Sequence, residues 1–267
     1  MEIMAGRTGK IIFLVIVFLV VAIAQAAAQS PLADEGFSRI GAGLGFSITA
    51  FREETDLPLN RYCNALTFII DADIERGKFL HSFTVGFFSG KAAVIMSDPS
   101  DVYYDYFQKE YAFSRLYAEY ANGFRLWGNQ AFPGYLGGAL RGDFYFYSLD
   151  QTVYNGYTAV VSLGLYAAQK WVMNTKSQLI LSVRFPVFGY ASRPHYFGFV
   201  YNMGFSEDAI ISLHNYWAVF GELKYHHQFN SLFSLNAGLD FDFSHIDFPR
   251  PRKDILLRLT AGAAFTL

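Results

Sequence analysis

Eleven ionisable residues stand out because each falls on the polar phase of a two-residue alternation whose other phase is apolar: Arg115, Glu119, Arg125, Arg141, Asp143, Arg184, Glu222, Lys224, Asp240, Asp242 and Arg258. Both signs occur in similar numbers. Charges of this kind on one shared face either neutralise one another in a filled interior or line a narrow polar path with a charged constriction; mutual pairing is the expectation here. A second pattern, Asp240-x-Asp242 followed by His245 and Asp247, combines carboxylates with an imidazole, the groups that activate a water in hydrolysis. Solvated loop charges are the plainer reading of that cluster. His81 next to Ser82 does not make a nucleophile and base, because neighbouring strand residues point to opposite faces. Asp71, Asp73 and Glu75 read as an acidic mouth rather than a cation site. The chain has neither zinc spacing nor a phosphate-binding glycine loop, so the expectation is no catalytic residue, no metal and no cofactor.

The elements that position these charges are strands. The cleanest sets Ile40, Ala42, Leu44, Phe46, Ile48 and Ala50 against Gly41, Gly43, Gly45, Ser47 and Thr49. A helix there would carry three glycines at about 1 kcal/mol each relative to alanine. The bare face suits a narrow interior in which large side chains from across the lumen need room. Similar alternation recurs over 62–75, 79–87, 111–127, 135–147, 157–165, 179–185, 217–226, 233–243 and 255–267. The pattern lapses between Tyr190 and Leu213, where a further hairpin would raise about ten strands to twelve. Short connections, at Glu75 to Lys78 and Gln228 to Ser231, alternate with long ones around 52–60, 97–110, 190–213 and 244–254. Aromatic residues gather near strand ends, at Tyr62, Phe79, Trp127, Trp171, Trp217 and Phe265.

The 267 residues are 52% hydrophobic and only 16% charged, yet beyond residue 28 no apolar run approaches the length of a membrane helix. High apolarity without helical spans points to tilted strands, each needing about 9–11 residues to cross a bilayer. Arg7 and Lys10 precede the apolar run Ile11 to Ala24, followed by small residues spaced as at a cleavage site; 1–28 reads as a signal peptide cleaved after Ala28. Removing it takes the 21 basic and 23 acidic residues to 19 and 22, a near-balance that gives no reason to invoke nucleic acid. The single cysteine, Cys63, cannot form an intramolecular disulfide. A soluble barrel or sandwich would show the same alternation with its apolar face inward.

The closing stretch Thr260, Gly262, Phe265 and Leu267, in the spacing polar-x-Gly-x-x-apolar-x-apolar, resembles the assembly signal of bacterial outer-membrane β-barrel proteins, although most of those end in an aromatic residue and this chain ends in Leu267. The resemblance is to the broad class. It implies an all-β, antiparallel, up-and-down transmembrane barrel over 29–267, exported to the outer membrane of a Gram-negative cell. The partners implied are outer-membrane lipid, lipopolysaccharide and the barrel-assembly machinery. A structural or small-solute, porin-like role comes first, surface binding or adhesion through Tyr-rich loops second. Third is an omptin-like hydrolase, since the Asp240, Asp242 and His245 pattern resembles the ten-stranded surface proteases without matching a motif.

Overall fold

A computed structural model describes residues 38–53, 59–95, 111–149, 155–194, 206–247 and 251–266. The segment read as a signal peptide, the Tyr-rich stretch 97–110 and Leu267 lie outside them. The described residues form eleven antiparallel strands: β1 Ser38–Glu53, β2 Leu59–Arg76, β3 Phe79–Ile95, β4 Tyr111–Trp127, β5 Gly134–Leu149, β6 Asn155–Val172, β7 Ser177–Pro194, β8 Ser206–Ser212, β9 Tyr216–Gln228, β10 Phe233–Ile246 and β11 Arg252–Thr266. Each of β1 to β7 pairs with the next in sequence, β9 pairs with β10, β10 with β11 and β11 with β1, and β7 also pairs with β9. The sheet therefore closes and has no long free edge.

Ten staves make the barrel, because β8 and β9 are successive halves of one. Phe188–Pro194 of β7 pairs with β8, and Ser177–Arg184 pairs with β9. The turn Leu213–Asn215 between the halves is held by the Asn215 side chain, which accepts from the Ser212 N–H at 2.8 Å. The extra hairpin considered for 190–213 is thus absent among the described residues: this stretch finishes one stave and starts the next. The alternation lapses for a physical reason. The β6–β7 register slips between Leu163 and Gly164, leaving Val187 as the extra residue of a bulge. Val187 and Phe188 consequently both face outward, at 38% and 50% exposure, and every later residue of β7 changes face.

The faces otherwise follow the sequence. On β11 Ile255, Leu257, Leu259, Ala261, Ala263 and Phe265 are exposed on the outer face, an apolar run of the length that crosses a bilayer. Thr260 and Gly262 face inward, and Phe265 faces outward, its ring 4.7 Å from that of Phe233 and tilted to it by 50°. Outward aromatics cluster near strand ends, with Phe79 against Phe124 at 5.3 Å and Trp217 against Phe243 at 4.7 Å. At the tight β2–β3 turn Gly77 takes φ 55°, a left-handed conformation that glycine adopts without steric cost. No helix of the described residues is long and apolar enough to cross a membrane.

Large aromatic side chains pack against inward glycines of β3 and β4. A Cβ at Gly86 would lie 2.1 Å from the Tyr117 ring, and one at Gly123 would meet Tyr135 and Tyr166. At Gly43 and Gly45 the nearest atoms belong instead to the adjoining strand β11. On β1, side chains from other strands cover Gly41, where a Cβ would lie 2.9 Å from Asn236 and 3.0 Å from Asp71, whereas the expected cover from across the lumen is not found at Gly43 and Gly45.

Candidate functional site in the lumen

Along β4 the inward face reads Phe113, Arg115, Tyr117, Glu119, Ala121, apolar at both ends and charged between. The same order appears on β5, from Tyr135 and Ala139 through Arg141 and Asp143 to Tyr145. Closure of the sheet stacks these bands into layers. Toward the loop ends lie one cluster with Phe51, Phe88, Phe113, Tyr145 and Leu256 and another with Val160, Ile211, Tyr216, Phe220 and Ile246. Toward the turn ends Leu80, Tyr135, Ala139, Tyr166 and Ala168 form a third.

Between them the charges pair across the barrel. Arg115 reaches Asp143 at 2.9 Å and Asp242 at 3.0 Å. Arg141 holds Asp143 at 2.7 Å, Asp242 at 2.7 Å and Glu119 at 3.2 Å. Arg184 continues the chain to Glu119 and Glu222, both at 2.6 Å. Lys224 contacts Glu222 at 3.0 Å and Asp71 at 3.5 Å, while Arg258 binds Asp240 at 2.9 Å. All ten of these lumen residues from the sequence-derived set are at most 9% exposed. Arg125, the eleventh, is half-buried at the turn end of β4 and lies apart from the cluster.

Aromatic rings separate the guanidinium layers. Arg141 lies 3.7 Å from the Phe220 ring centroid and 5.0 Å from that of Tyr117. Arg258 sits over the same Tyr117 ring at 4.7 Å, and Arg252 lies between Phe51 at 5.2 Å and Tyr145 at 4.6 Å. Cation–π attraction strengthens where water is excluded. Charges that would be costly alone are thus paired, hydrogen-bonded and stacked.

Several members escape the sequence reading. Arg252 and Asp254, placed there in a loop, are buried on β11 and pair at 2.9 Å. Lys170 bonds Glu75 at 2.6 Å, and Asp73 accepts from Ser82 Oγ at 2.8 Å. With Lys224 3.5 Å from Asp71 and 3.8 Å from Asp73, each of the three carboxylates read as an acidic mouth has a buried cation beside it. Tyr117 lies where its parity puts it, in phase with Arg115 and Glu119; which charge meets which depends on barrel closure, which parity does not give.

The carboxylate and histidine pattern is not brought together. Asp240 and Asp242 point inward and are engaged by arginines, whereas His245, one phase away, faces outward. It pairs with Asp247 at 2.8 Å and packs on Trp217 at 6.3 Å. His81 also faces outward, its Nδ1 2.8 Å from the Tyr120 hydroxyl, while Ser82 faces inward. Among the described residues no group of His, Cys, Asp and Glu is arranged to hold a metal ion.

No protein-family model matches the chain, and no curated protein sequence does. Its fold matches solved structures. The outer membrane protease OmpT from Escherichia coli is similar at 9% identity and a TM-score of 0.54, with 89% of this chain and 98% of that one covered. The translocator domain of the autotransporter NalP from Neisseria meningitidis is 10% identical, with a TM-score of 0.42 and coverage of 93% and 94%. The outer membrane protein OprG from Pseudomonas aeruginosa is also 10% identical, with a TM-score of 0.38 and coverage of 87% and 96%. Likeness at such identity concerns fold: the chain is a ten-stave, closed, all-β barrel of the bacterial outer-membrane type.

Proposed function

We propose that this chain is an integral outer-membrane barrel with a structural role, its lumen sealed by a neutral plug of paired charges rather than open for general diffusion. The carrying observation is the continuous chain of contacts from Asp242 through Arg115, Asp143, Arg141, Glu119 and Arg184 to Glu222, buried between apolar layers. A hydrated pore requires charges facing water; these face one another. The outward apolar belt supports contact with outer-membrane lipid and lipopolysaccharide, and pairing of β11 with β1 supports a role for Thr260, Gly262 and Phe265 in assembly by the barrel-assembly machinery. We read the barrel as non-hydrolytic, since Asp240 and Asp242 are held by arginines and His245 lies on the other face.

The test is swelling of liposomes reconstituted with folded protein in isosmotic arabinose. Swelling at the protein-free rate is expected, and rapid swelling proportional to protein would overturn the sealed-lumen reading.

A further inference from the structure

Three neighbouring strands of the outer wall end their apolar run in a basic residue. On β1 the outward positions from Ile40 to Ala50 are apolar and Arg52 comes next. On β11 the outward run from Phe265 to Ile255 is followed by Lys253, and on β10 the run from Phe233 to Phe243 is followed by His245. The register sets Arg52, Lys253, His245 and Trp217 side by side in one row across β1, β11, β10 and β9. At the turn end of the first three strands the outward positions hold Ser38, Phe265 and Phe233, without charge. The basic row thus serves one leaflet. Short turns at 77–78 and 229–232 against the connections 96–110 and 195–205 put the loop end in the outer leaflet. Trp217, 43% exposed with its ring 4.7 Å from that of Phe243, marks the headgroup level, where indoles gather.

Arg52 and Lys253 are both exposed and lie directly opposite each other across the seam at which the first and last strands close the barrel. Like charges so placed repel. The carboxylates next to them are engaged elsewhere: Asp247 by His245 at 2.8 Å, and Asp254, on the inner face, by Arg252 at 2.9 Å. Neither cation has an ion-pair partner among the described residues. Beneath the pair Ile255, Leu257 and Leu259 of β11 and Phe46 and Ile48 of β1 are 37–60% exposed, an apolar column on which acyl chains can lie. Two unneutralised cations above such a column suit an amphipathic anion.

We propose that Arg52 and Lys253 clamp one phosphate of a lipopolysaccharide headgroup across the closing seam of the barrel. The guanidinium donates two hydrogen bonds to the phosphate, the ammonium adds a point charge from the other strand, and the acyl chains of the same molecule cover the apolar column. One anion shared by β1 and β11 replaces their mutual repulsion with a bridge, so the lipid stabilises closure.

This rests on the outer-membrane reading and is independent of the seal in the lumen. Folded full chain in phosphatidylcholine vesicles, with and without a small fraction of lipopolysaccharide, tests it; the readout is the temperature at which the heat-modifiable band disappears. Lipopolysaccharide should raise that temperature by several degrees, and enzymatically dephosphorylated lipopolysaccharide should not. The double variant Arg52→Gln with Lys253→Gln should match or exceed the parent without lipopolysaccharide, because the repulsion is gone, and should lose the rise. Lys253→Arg should keep it. Binding of labelled lipopolysaccharide to the double variant should fall about tenfold or more, the worth of one charge-assisted hydrogen bond. A rise with the dephosphorylated form, an undiminished rise in the double variant, or an equal rise from inorganic phosphate at the same concentration would each overturn the clamp. Folding of the parent into plain vesicles reports the barrel itself: failure there removes the membrane reading, whereas normal folding with no response to lipopolysaccharide removes only the clamp.

Discussion

Replacing Arg141 with Met probes the plug at its most connected point. The side chain bonds Asp143, Asp242 and Glu119 and lies 3.7 Å over Phe220. Methionine keeps much of the packing on Phe220 and removes the charge. Each carboxylate retains another cation: Asp143 and Asp242 keep Arg115, and Glu119 keeps Arg184. Breaking a buried pair by deleting one partner costs about 3–5 kcal/mol, and retention of a second partner places Arg141→Met at the lower end, about 3 kcal/mol. The charge balance sharpens the prediction. Arg115, Arg141, Arg184, Lys224 and Arg258 face Glu119, Asp143, Glu222, Asp240 and Asp242, five against five; the single variant leaves four against five. Adding Asp242→Leu restores four against four, so the double variant should be more stable than the sum of the single losses by about 1–3 kcal/mol, a coupling typical of contacting residues. Urea unfolding in lipid vesicles, followed by tryptophan fluorescence, measures all four members of the cycle. Simple additivity, or a loss under about 1 kcal/mol for Arg141→Met, would refute the idea that these charges act as one paired unit.

Three further expectations follow from the wall. In a Cys63→Ser background, single cysteines at 188 and 190 should react with a membrane-soluble maleimide and those at 189 and 191 should not; the reverse pattern would contradict the bulge at Val187. Gly164→Val should destabilise by roughly 1–3 kcal/mol or more, because a Cβ there lies 2.3 Å from the Phe185 carbonyl and 2.6 Å from Pro186 Cα; a thermal midpoint equal to that of the parent would count against it. Deleting residues 260–267 removes part of the pairing of β11 with both β1 and β10, and should abolish the folded, heat-modifiable band in outer-membrane fractions; its persistence would contradict both the closure and the assembly role.

The strands were legible because lumen and lipid impose opposite chemistry on alternate residues, as at Ile255 to Phe265. The same rule explains the failure between Tyr190 and Leu213: one extra residue, Val187, inverts parity, and the Leu213–Asn215 turn interrupts the next stave, so a period-two reading loses phase twice. The inward charges were readable one strand at a time. Their partners were not, since Arg141 and Asp242 are 101 positions apart and meet only once the sheet closes. Lys170 lay beyond the end assigned to its strand, and Arg252 in a presumed loop, so both pairings were missed. His245 shows the converse: its separation from Asp240 and Asp242 follows from an odd spacing that was readable from the start.

The central claim is that paired charges close the lumen, and planar-bilayer recording tests it most directly. Parent protein should show no large, stable conductance steps, while Arg141→Met, with one counter-charge removed, should show a measurable rise in leak. Large, stable open channels from the parent would contradict the account.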